Sequence, residues 1–281
     1  MIRVIRSIGQ MKDLSLRIKK AGKTIGFVPT MGYLHDGHIS LVSMARQACD
    51  IVVVSIFVNP KQFGPGEDLK KYPRDFSRDK KLLMKAKADI IFYPAVKEMY
   101  PDGYRTNVYV SDLSGKLCGA SRPGHFNGVT TIVAKLFNIV KPDTAYFGQK
   151  DFQQQVIIKK MARDLNMGVK ISALPTIRER DGLAMSSRNA YLSKVERKNA
   201  PVIYRSLKFA NQLIKSGVKS STAIRSAITK LIKSKPGFKI DYIAVSDPET
   251  LEDKKTINGR TLVAVAVYLG KTRLIDNIVV R

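Results

Sequence analysis

The sequence predicts an α/β protein with a doubly wound parallel sheet over residues 1–175, followed by a smaller C-terminal α+β domain over residues 176–281. Three observations lead to this prediction. Short apolar runs alternate with helical patterns in the first part of the chain, which is typical of a parallel sheet covered by helices. The run Ile51–Val58 has no polar alternation, which indicates a strand buried on both faces. After Pro175 this alternation stops, and basic helical patterns follow.

The individual elements are predicted from hydrophobic periodicity. In the first domain, the predicted strands are Thr24–Pro29, Ile51–Val58, Asp89–Tyr93, Asp143–Phe147 and Val169–Leu174. The predicted helices there are His38–Cys49, Phe76–Lys87, Gly128–Val140 and Phe152–Leu165. In the second domain, the strand candidates are Ile240–Val245 and Leu262–Leu269.

Composition indicates a soluble globular protein, with 44% hydrophobic and 26% charged residues in a chain of 281. The two cysteines, Cys49 and Cys118, are isolated from each other and from histidine, which favours a reducing compartment over a disulfide scaffold. Cys49 continues a helical pattern and is expected in the core. No apolar run reaches about 18 residues, and the start of the chain lacks a signal-like apolar segment. We therefore expect a cytoplasmic protein that does not span a membrane.

The charge balance is strongly positive, with 49 Lys and Arg against 23 Asp and Glu, a net charge of +26. Nucleic-acid binding, attraction of anionic substrates and simple solvation of surface lysines are three interpretations. The stretch Arg197–Lys239 carries eleven basic residues and no acidic one, on helical spacing. It has few aromatic residues on which bases would stack. We therefore favour solvated helix faces and expect no nucleic-acid partner.

A segment with two glycines and two histidines, Pro29–His38 (PTMGYLHDGH), lies where the first predicted strand ends and a helix begins. Ligands of open α/β sheets bind beyond the carboxyl ends of strands, and a helix N-terminus attracts phosphate. His35 and His38 are able to donate hydrogen bonds to phosphate oxygens. A zinc pair or two structural histidines are the alternatives, and zinc is disfavoured because Asp36 is the only other ligand-type residue nearby.

Two further segments carry polar residues after predicted strands or before helices. Asn59 and Gln62 in Ser55–Phe63 follow the second strand, and their neutral amides suit recognition of hydroxyl and carboxylate groups. An ordinary turn is the alternative there. Arg122 and His125 precede a predicted helix. An anion site and a loop that starts the helix are equally weighted interpretations of this pair.

The segment Phe147–Gln154 follows the fourth predicted strand and opens another helix. Lys150 at this position suits an ATP phosphate, Asp151 suits a helix N-cap, and Gly148 allows close approach of a nucleotide. Farther along, Asp181–Asn189 (DGLAMSSRN) places two hydroxyls beside an arginine, a combination that suits phosphate. A loop without a ligand is the alternative for this last segment.

Together these segments resemble the pantothenate synthetase family. The matching stretches are PTMGYLHDGH, SIFVNPKQF, YPRDF, RPGHFNGV, KLFNIVKPDTAYFGQKDFQQ and DGLAMSSRN, in the same order and spacing over essentially the whole chain. The H-x-G-H spacing is also similar to the signature of the wider nucleotidyltransferase-like superfamily. The resemblance implies a homodimer, with a Rossmann-like ATP- and pantoate-binding domain over residues 1–175 and a lid domain over residues 176–281.

The resemblance implies a ligase reaction in two steps. The carboxylate of pantoate attacks the α-phosphorus of ATP, which releases pyrophosphate and forms pantoyl-adenylate. The amine of β-alanine then attacks the acyl carbon, which gives pantothenate and AMP. ATP with Mg²⁺ is the expected co-substrate, and neither a tightly bound organic cofactor nor a protein-held metal is expected.

The resemblance also assigns site residues. His38, His35 and Lys150 are the expected catalytic residues. Gln62 and Gln154 are expected to bind pantoate, with Gln62 also near β-alanine. ATP binding is expected from Met31, Gly32, Tyr33, Leu34, His35, Asp36, Gly37, His38, Gly148, Gln149, Lys150, Asp151, Ile177, Met185, Ser186, Ser187 and Arg188. Gln149 departs from the family pattern, in which many members have Glu.

Two other functions are alternatives to the ligase. A different nucleotidyltransferase would lack the paired glutamines and release no AMP. An RNA-binding protein related to tRNA synthetases would use the basic face and bind with a steep salt dependence. The complete set of motifs favours the ligase over both.

Overall fold

Six parallel strands form a sheet with the order β1-β4-β3-β2-β5-β6. The structure, a computed structural model, describes residues 2–281. The strands are β1 Arg3–Ile5, β2 Ile25–Thr30, β3 Ile51–Ile56, β4 Ile90–Phe92, β5 Thr144–Gly148 and β6 Lys170–Leu174. The helices that connect them are α1 Ile8–Lys20, α2 Asp36–Ala48, α3 Phe76–Lys85, α4 Val96–Met99, α6 His125–Val140 and α7 Phe152–Asp164. The predicted doubly wound parallel sheet is confirmed.

The burial of the central strands on both faces explains why they could be predicted from the sequence. Val52, Val53 and Val54 on β3 are fully buried, because β3 has a strand on each side and apolar groups on both faces. Cys49, at the end of α2, packs into the same apolar cluster, as its helical spacing predicted.

Strand β1 and helix α1 were not predicted from the sequence. Only three residues long, β1 pairs with β4 at the edge of the sheet, so it is too short to show an alternating pattern. The buried residues of α1 are Met11, Ser15 and Ile18, and the polar Ser15 weakens the apolar periodicity of this helix.

The residues fall into two compact units. The first comprises the chain up to Ser114, together with Arg122–Gly148 and Gln154–Pro175. The second comprises Gly115–Ser121, Gln149–Gln153 and Thr176–Arg281. Two short segments of the N-terminal part of the sequence therefore group with the C-terminal residues, which periodicity does not reveal.

A three-stranded antiparallel sheet with the order β7-β8-β9 is the centre of the second unit. Its strands are β7 Phe238–Ser246, β8 Thr261–Leu269 and β9 Thr272–Val280, and its helices are α5 Cys118–Ser121, α8 Lys194–Asn199, α9 Val202–Lys215 and α10 Ser221–Lys233. The predicted α+β character is confirmed. Strand β9 was not predicted, because Asp276 and Asn277 interrupt its apolar pattern.

The basic helices α9 and α10 bury one side each against the sheet of the second unit. On α10 the buried apolar residues are Ile224, Ile228 and Ile232, which are spaced by four and lie in the core of this unit. Lys208 and Lys230 are exposed, as are the other lysines of these two helices. These lysines thus lie on the exposed sides of the two amphipathic helices, as predicted. Among residues 2–281, no helix is both long enough and apolar enough to cross a membrane.

Helix α6 packs closely against the 3₁₀ turn Pro60–Gln62 because Gly128 lies at the contact. A Cβ atom at Gly128 would lie 2.2 Å from the carbonyl oxygen of Lys61 and 2.6 Å from the amide nitrogen of Gln62. The side chain of Asn59 strengthens the contact, since its Nδ2 donates to the Gly128 carbonyl at 3.0 Å. Only glycine permits this approach of two backbones.

We predict that Gly128→Ala lowers the free energy of unfolding by about 1–3 kcal/mol, because the added methyl group overpacks a contact made by backbone atoms. Urea denaturation followed by circular dichroism measures this change. Gly115→Ala is the matched control: a Cβ there meets no atom within 4 Å, so stability should stay within about 0.5 kcal/mol of wild type. Equal stability of the two variants would contradict the prediction.

Candidate active site

The carboxyl ends of β3, β2 and β5 lie side by side at one edge of the six-stranded sheet, because these strands are parallel neighbours. From β2 the chain continues to β3 and β4 on one side, and it later returns to β5 on the other side. Ligands of open α/β sheets bind at such a switch point. The structure places Met31–His38 directly after β2 and Gly148 at the end of β5, so these predicted residues flank the switch point.

The turn after β2 has an unusual backbone. Gly32 and Tyr33 both have left-handed conformations, with φ values of 84° and 50°. Thr30 supports the turn, since its Oγ1 accepts from the Gly32 N–H at 3.1 Å and donates to the Ser55 carbonyl at 2.7 Å. In a non-glycine residue such as Tyr33 this conformation costs about 1–2 kcal/mol, so the turn needs further support.

Asp79 on α3 provides this support. Only 1% of the residue is exposed, and its two carboxylate oxygens accept from the N–H groups of Tyr33 and Leu34 at 2.7 and 2.8 Å. The pKa of Asp79 is raised, because the effect of burial exceeds the lowering effect of these hydrogen bonds and of the nearby Arg78. Asp79 was not predicted from the sequence, because it lies inside a helix, 45 residues from Leu34, without a local signal.

His35 and His38 together cap the start of α2. Nδ1 of His35 accepts from the Gly37 N–H at 3.1 Å, and Nδ1 of His38 accepts from the His35 N–H at 3.3 Å. The two rings lie 4.1 Å apart between centroids. Because Nδ1 is the acceptor, a neutral ring carries its proton on Nε2. Each histidine thus has an Nε2–H donor at a helix N-terminus, an arrangement suited to phosphate.

Gln62 follows β3, and its side chain reaches the turn after β2. Its Nε2 donates to the sulfur of Met31 at 3.2 Å, which brings two of the predicted residues into contact. Asn59 holds the other end of this amide by donating to Gln62 Oε1 at 3.1 Å. Asn59 is only 1% exposed, and its Oδ1 accepts from the Tyr100 hydroxyl at 2.8 Å. Asn59 therefore supports Gln62 within the protein.

Arg122 and His125 hold the backbone of the same turn. Nδ1 of His125 donates to the Gln62 carbonyl at 2.7 Å, and its Nε2 accepts from Arg122 at 3.0 Å. Arg122 also pairs with Glu67 at 2.6 Å. Burial raises the pKa of Glu67, but hydrogen bonding and the charge of Arg122 hold it below its usual value. These contacts match the structural interpretation of this segment, a loop that starts α6.

Gly148 and Gln154 complete the predicted residues of the first unit. A Cβ atom at Gly148 would meet no atom within 4 Å, so space is open beside this backbone. Gln154 is half-buried in the first turn of α7. The neighbouring Gln153 belongs to the second unit and binds there instead, since its amide pairs with the Cys118 N–H at 2.9 Å and the Lys116 carbonyl at 2.6 Å.

In the second unit, Gln149, Lys150 and Asp151 form a 3₁₀ turn directly before α7. The Lys150 ammonium group lies 3.7 Å from the Asp151 carboxylate. Asn277 on β9 fixes the backbone of this turn, because its Nδ2 donates to the carbonyls of Gln149 and Lys150 at 3.1 and 2.9 Å.

Ile177 and Met185 lie opposite each other in a short hairpin of the second unit. The Met185 N–H donates to the Ile177 carbonyl at 3.0 Å, and the hairpin turns at Gly182 with a φ of 94°. Ser186 then caps a 3₁₀ helix over Ser187–Tyr191. Its Oγ accepts from the N–H of Arg188 at 3.3 Å. Five of the predicted residues, Ile177, Met185, Ser186, Ser187 and Arg188, thus lie in this hairpin and the 3₁₀ helix that follows it.

A zinc site at the two histidines would need further protein ligands. Among residues 2–281, no group of three or more His, Cys, Asp and Glu side chains is arranged to hold a metal ion. The donors at His35 and His38 suit an anion better than a cation.

Known proteins of one family resemble this chain over nearly its whole length. The family model for pantoate-beta-alanine ligase matches residues 3–279. A pantothenate synthetase of Acetivibrio thermocellus is 56% identical over 279 residues, with 99% of each chain covered. That of Caldicellulosiruptor bescii is 54% identical over 277 residues, covering 99% of this chain and 98% of the other.

Solved structures show the same similarity. The crystal structure of pantothenate synthetase from Thermus thermophilus has a TM-score of 0.94 and 45% identity, with 99% of each chain covered. Pantoate-beta-alanine ligase from Francisella tularensis, a complex with beta-gamma ATP and β-alanine, has a TM-score of 0.81 and 36% identity, covering 99% of this chain and 97% of the other. On the whole-chain family match and these identities, the chain belongs to the pantoate-beta-alanine ligase family.

Proposed function

We propose that this chain catalyses the ATP-dependent condensation of pantoate with β-alanine to pantothenate, through a pantoyl-adenylate and with release of AMP and pyrophosphate. The observation that carries the proposal is the histidine-capped start of α2 at the switch point between β2 and β5. Membership of the ligase family over residues 3–279 supplies the substrates.

The first step needs positioning and charge stabilisation. The pantoate carboxylate is itself the nucleophile that attacks the α-phosphorus, so no side chain has to form a covalent bond. Two oriented reactants and stabilised phosphate charge lower the barrier of such a displacement. The Nε2–H groups of His35 and His38 and the start of α2 bind phosphate oxygens. Lys150 and Arg188 add positive charge, and Mg²⁺ enters as part of the MgATP substrate.

Recognition of pantoate falls to the two glutamines. The Gln62 amide is oriented by Asn59 and Met31, and its backbone carbonyl is held by His125. Such an oriented neutral amide binds hydroxyl and carboxylate groups without titrating. Gln154 supplies the second amide. In the second step the β-alanine amine attacks the acyl carbon, and AMP leaves with the bonding electron pair.

We further propose that the protein works as a cytoplasmic homodimer without a bound organic cofactor. The homodimer rests on the family resemblance. Both cysteines are free and buried, as is usual for a protein in a reducing compartment.

Release of pyrophosphate from ATP tests the proposed function. With pantoate alone, the purified chain should release about one equivalent of pyrophosphate per site, since the adenylate stays bound. Adding β-alanine should give steady release of pyrophosphate and AMP in equal amounts. A folded, ATP-binding protein that releases no pantoate-dependent pyrophosphate would overturn the assignment.

We predict that His38→Ala and Lys150→Ala each slow pantoate-dependent pyrophosphate formation by about 10²-fold or more, because each removes a donor to phosphate charge. Single-turnover kinetics with quenched samples measures the effect. Lys230→Ala, at an exposed position of α10, is the control and should react as wild type. Full activity of either site variant would remove the role given to that residue.

We predict that Asp79→Asn lowers stability by about 1–3 kcal/mol, because an amide has one acceptor oxygen for the two N–H groups of Tyr33 and Leu34. The KM for ATP should also rise, since this turn precedes the two histidines.

Asp75→Asn is a matched control on the same helix. Asp75 accepts from the Arg78 N–H as the N-cap of α3, a position where Asn serves equally well. Urea denaturation and ATP titration of the initial rate measure both effects, and identical behaviour of the two variants would refute the prediction.

A further inference from the structure

Strand β9 carries a buried carboxylate, Asp276, on the side that also holds buried apolar residues. Asp276 alternates with Leu274 and Val280, both of which are buried, and only 3% of Asp276 is exposed. Arg178 pairs with it through two hydrogen bonds, at 2.6 and 3.0 Å. The main-chain N–H of Asn277 also donates to the carboxylate, at 2.8 Å. Both carboxylate oxygens of Asp276 therefore have hydrogen-bond partners.

The next residue, Asn277, points to the opposite side of the strand and serves a different segment. Its Nδ2 donates to the two successive carbonyls of Gln149 and Lys150. Its Oδ1 is buried and has no hydrogen-bond partner among the residues that the structure describes. The orientation of the amide is thus set by its two donor bonds. Asn277 is used to hold the backbone of the Lys150 turn.

Arg178 connects the same point of β9 to the hairpin between Ile177 and Met185. It lies in the first strand of this hairpin and bridges to Ala184 in the second. Its Nη1 also donates to the Gly182 carbonyl at the tip, at 3.2 Å. The guanidinium lies 3.6 Å from the centre of the Tyr204 ring, which fixes its plane.

The charges around Asp276 come from the same two segments. Burial is the largest effect and raises the pKa of Asp276, whereas Arg178 and, at longer range, Lys150 lower it. Stability alone does not explain such a pair, because apolar residues of similar volume usually stabilise a core as well as a buried ion pair does. The pair and the adjacent amide instead join two loops to one rigid strand.

We propose that Asp276 and Asn277 are positioning residues for ATP: through Arg178 and the Gln149–Lys150 carbonyls they hold the Ile177–Met185 hairpin and the Lys150 turn in a single arrangement. This inference rests on the proposed function, in which both segments bind ATP. Neither residue touches the reacting atoms. Their effect on the reaction passes through the backbone of the segments that they hold.

The test uses Asn277→Leu in the full-length chain, because leucine has nearly the shape of asparagine but no donor for the two carbonyls. Displacement of a binding group by a fraction of an ångström is costly to rate and affinity. We expect the KM for ATP in pantoate-dependent pyrophosphate release to rise about tenfold or more, while the KM for pantoate changes less than about twofold. Asn277→Ala should behave in the same way and serves if the leucine variant folds poorly.

Asp241→Asn is the matched control. Asp241 pairs with Arg273 at 2.8 Å in the same three-stranded sheet and accepts from the Ser121 hydroxyl at 2.9 Å. Both partners lie outside the Lys150 turn and the hairpin, so the KM for ATP of this variant should equal that of wild type. Thermal unfolding is recorded for every variant, so that loss of folded protein is separated from loss of ATP affinity.

Each outcome decides whether Asn277 positions the ATP-binding segments. A selective rise in the KM for ATP, absent from Asp241→Asn, supports the inference. An unchanged KM for ATP, or a uniform fall in kcat that follows the loss of folded protein, overturns it and leaves Asn277 with a structural role alone. Wild-type protein without pantoate-dependent pyrophosphate release would instead remove the proposed function, which is a separate result.

Discussion

The connection between β2 and α2 depends on the buried carboxylate of Asp79. Two consecutive residues in left-handed conformations direct the chain from the sheet edge into the helix, and the second of them, Tyr33, has a side chain that disfavours this backbone. The strain of about 1–2 kcal/mol is offset by hydrogen bonds to a charged group, each of which contributes about 1.5–3 kcal/mol. A side chain of α3 thus determines where the N-terminus of α2 lies, and with it the positions of His35 and His38.

Buried polar side chains also fix the backbone around the other predicted site residues. The Gln62 segment is held by the glycine contact with α6, by the Asn59 amide and by the His125 ring, so its amide is oriented before any substrate arrives. In the second unit, Asn277 holds the Lys150 turn. A buried amide or carboxylate is stabilising only when its hydrogen bonds are made, which ties each of these groups to one arrangement of its neighbours.

The exposed lysines that contribute to the strong positive charge take no part in these buried hydrogen bonds. The lysines of α9 and α10 are exposed, while the opposite sides of these helices form the apolar core of the second unit. Exposed charges of this kind are screened within about 8–10 Å at physiological salt. The cations that matter for the proposed chemistry are instead the few that lie in predicted phosphate-binding segments, such as Lys150, and the total of +26 adds little to the argument for function.

The parallel sheet, the α+β second unit and the order of the motifs were predicted from the chain alone, because hydrophobic periodicity and turn chemistry are local properties. The short edge strand β1 and the strand β9 escaped prediction, the first for its length and the second for its buried Asp276 and Asn277. The residues that resemble the family could likewise be named from their motifs, and their binding roles remain predictions. The side chains that support them could not be named. Asp79 acts on a turn 45 residues away, and Asn277 acts on a carbonyl 128 residues away. Such pairings leave no periodic trace in the sequence, because they arise when distant elements pack and each buried polar group must find a partner.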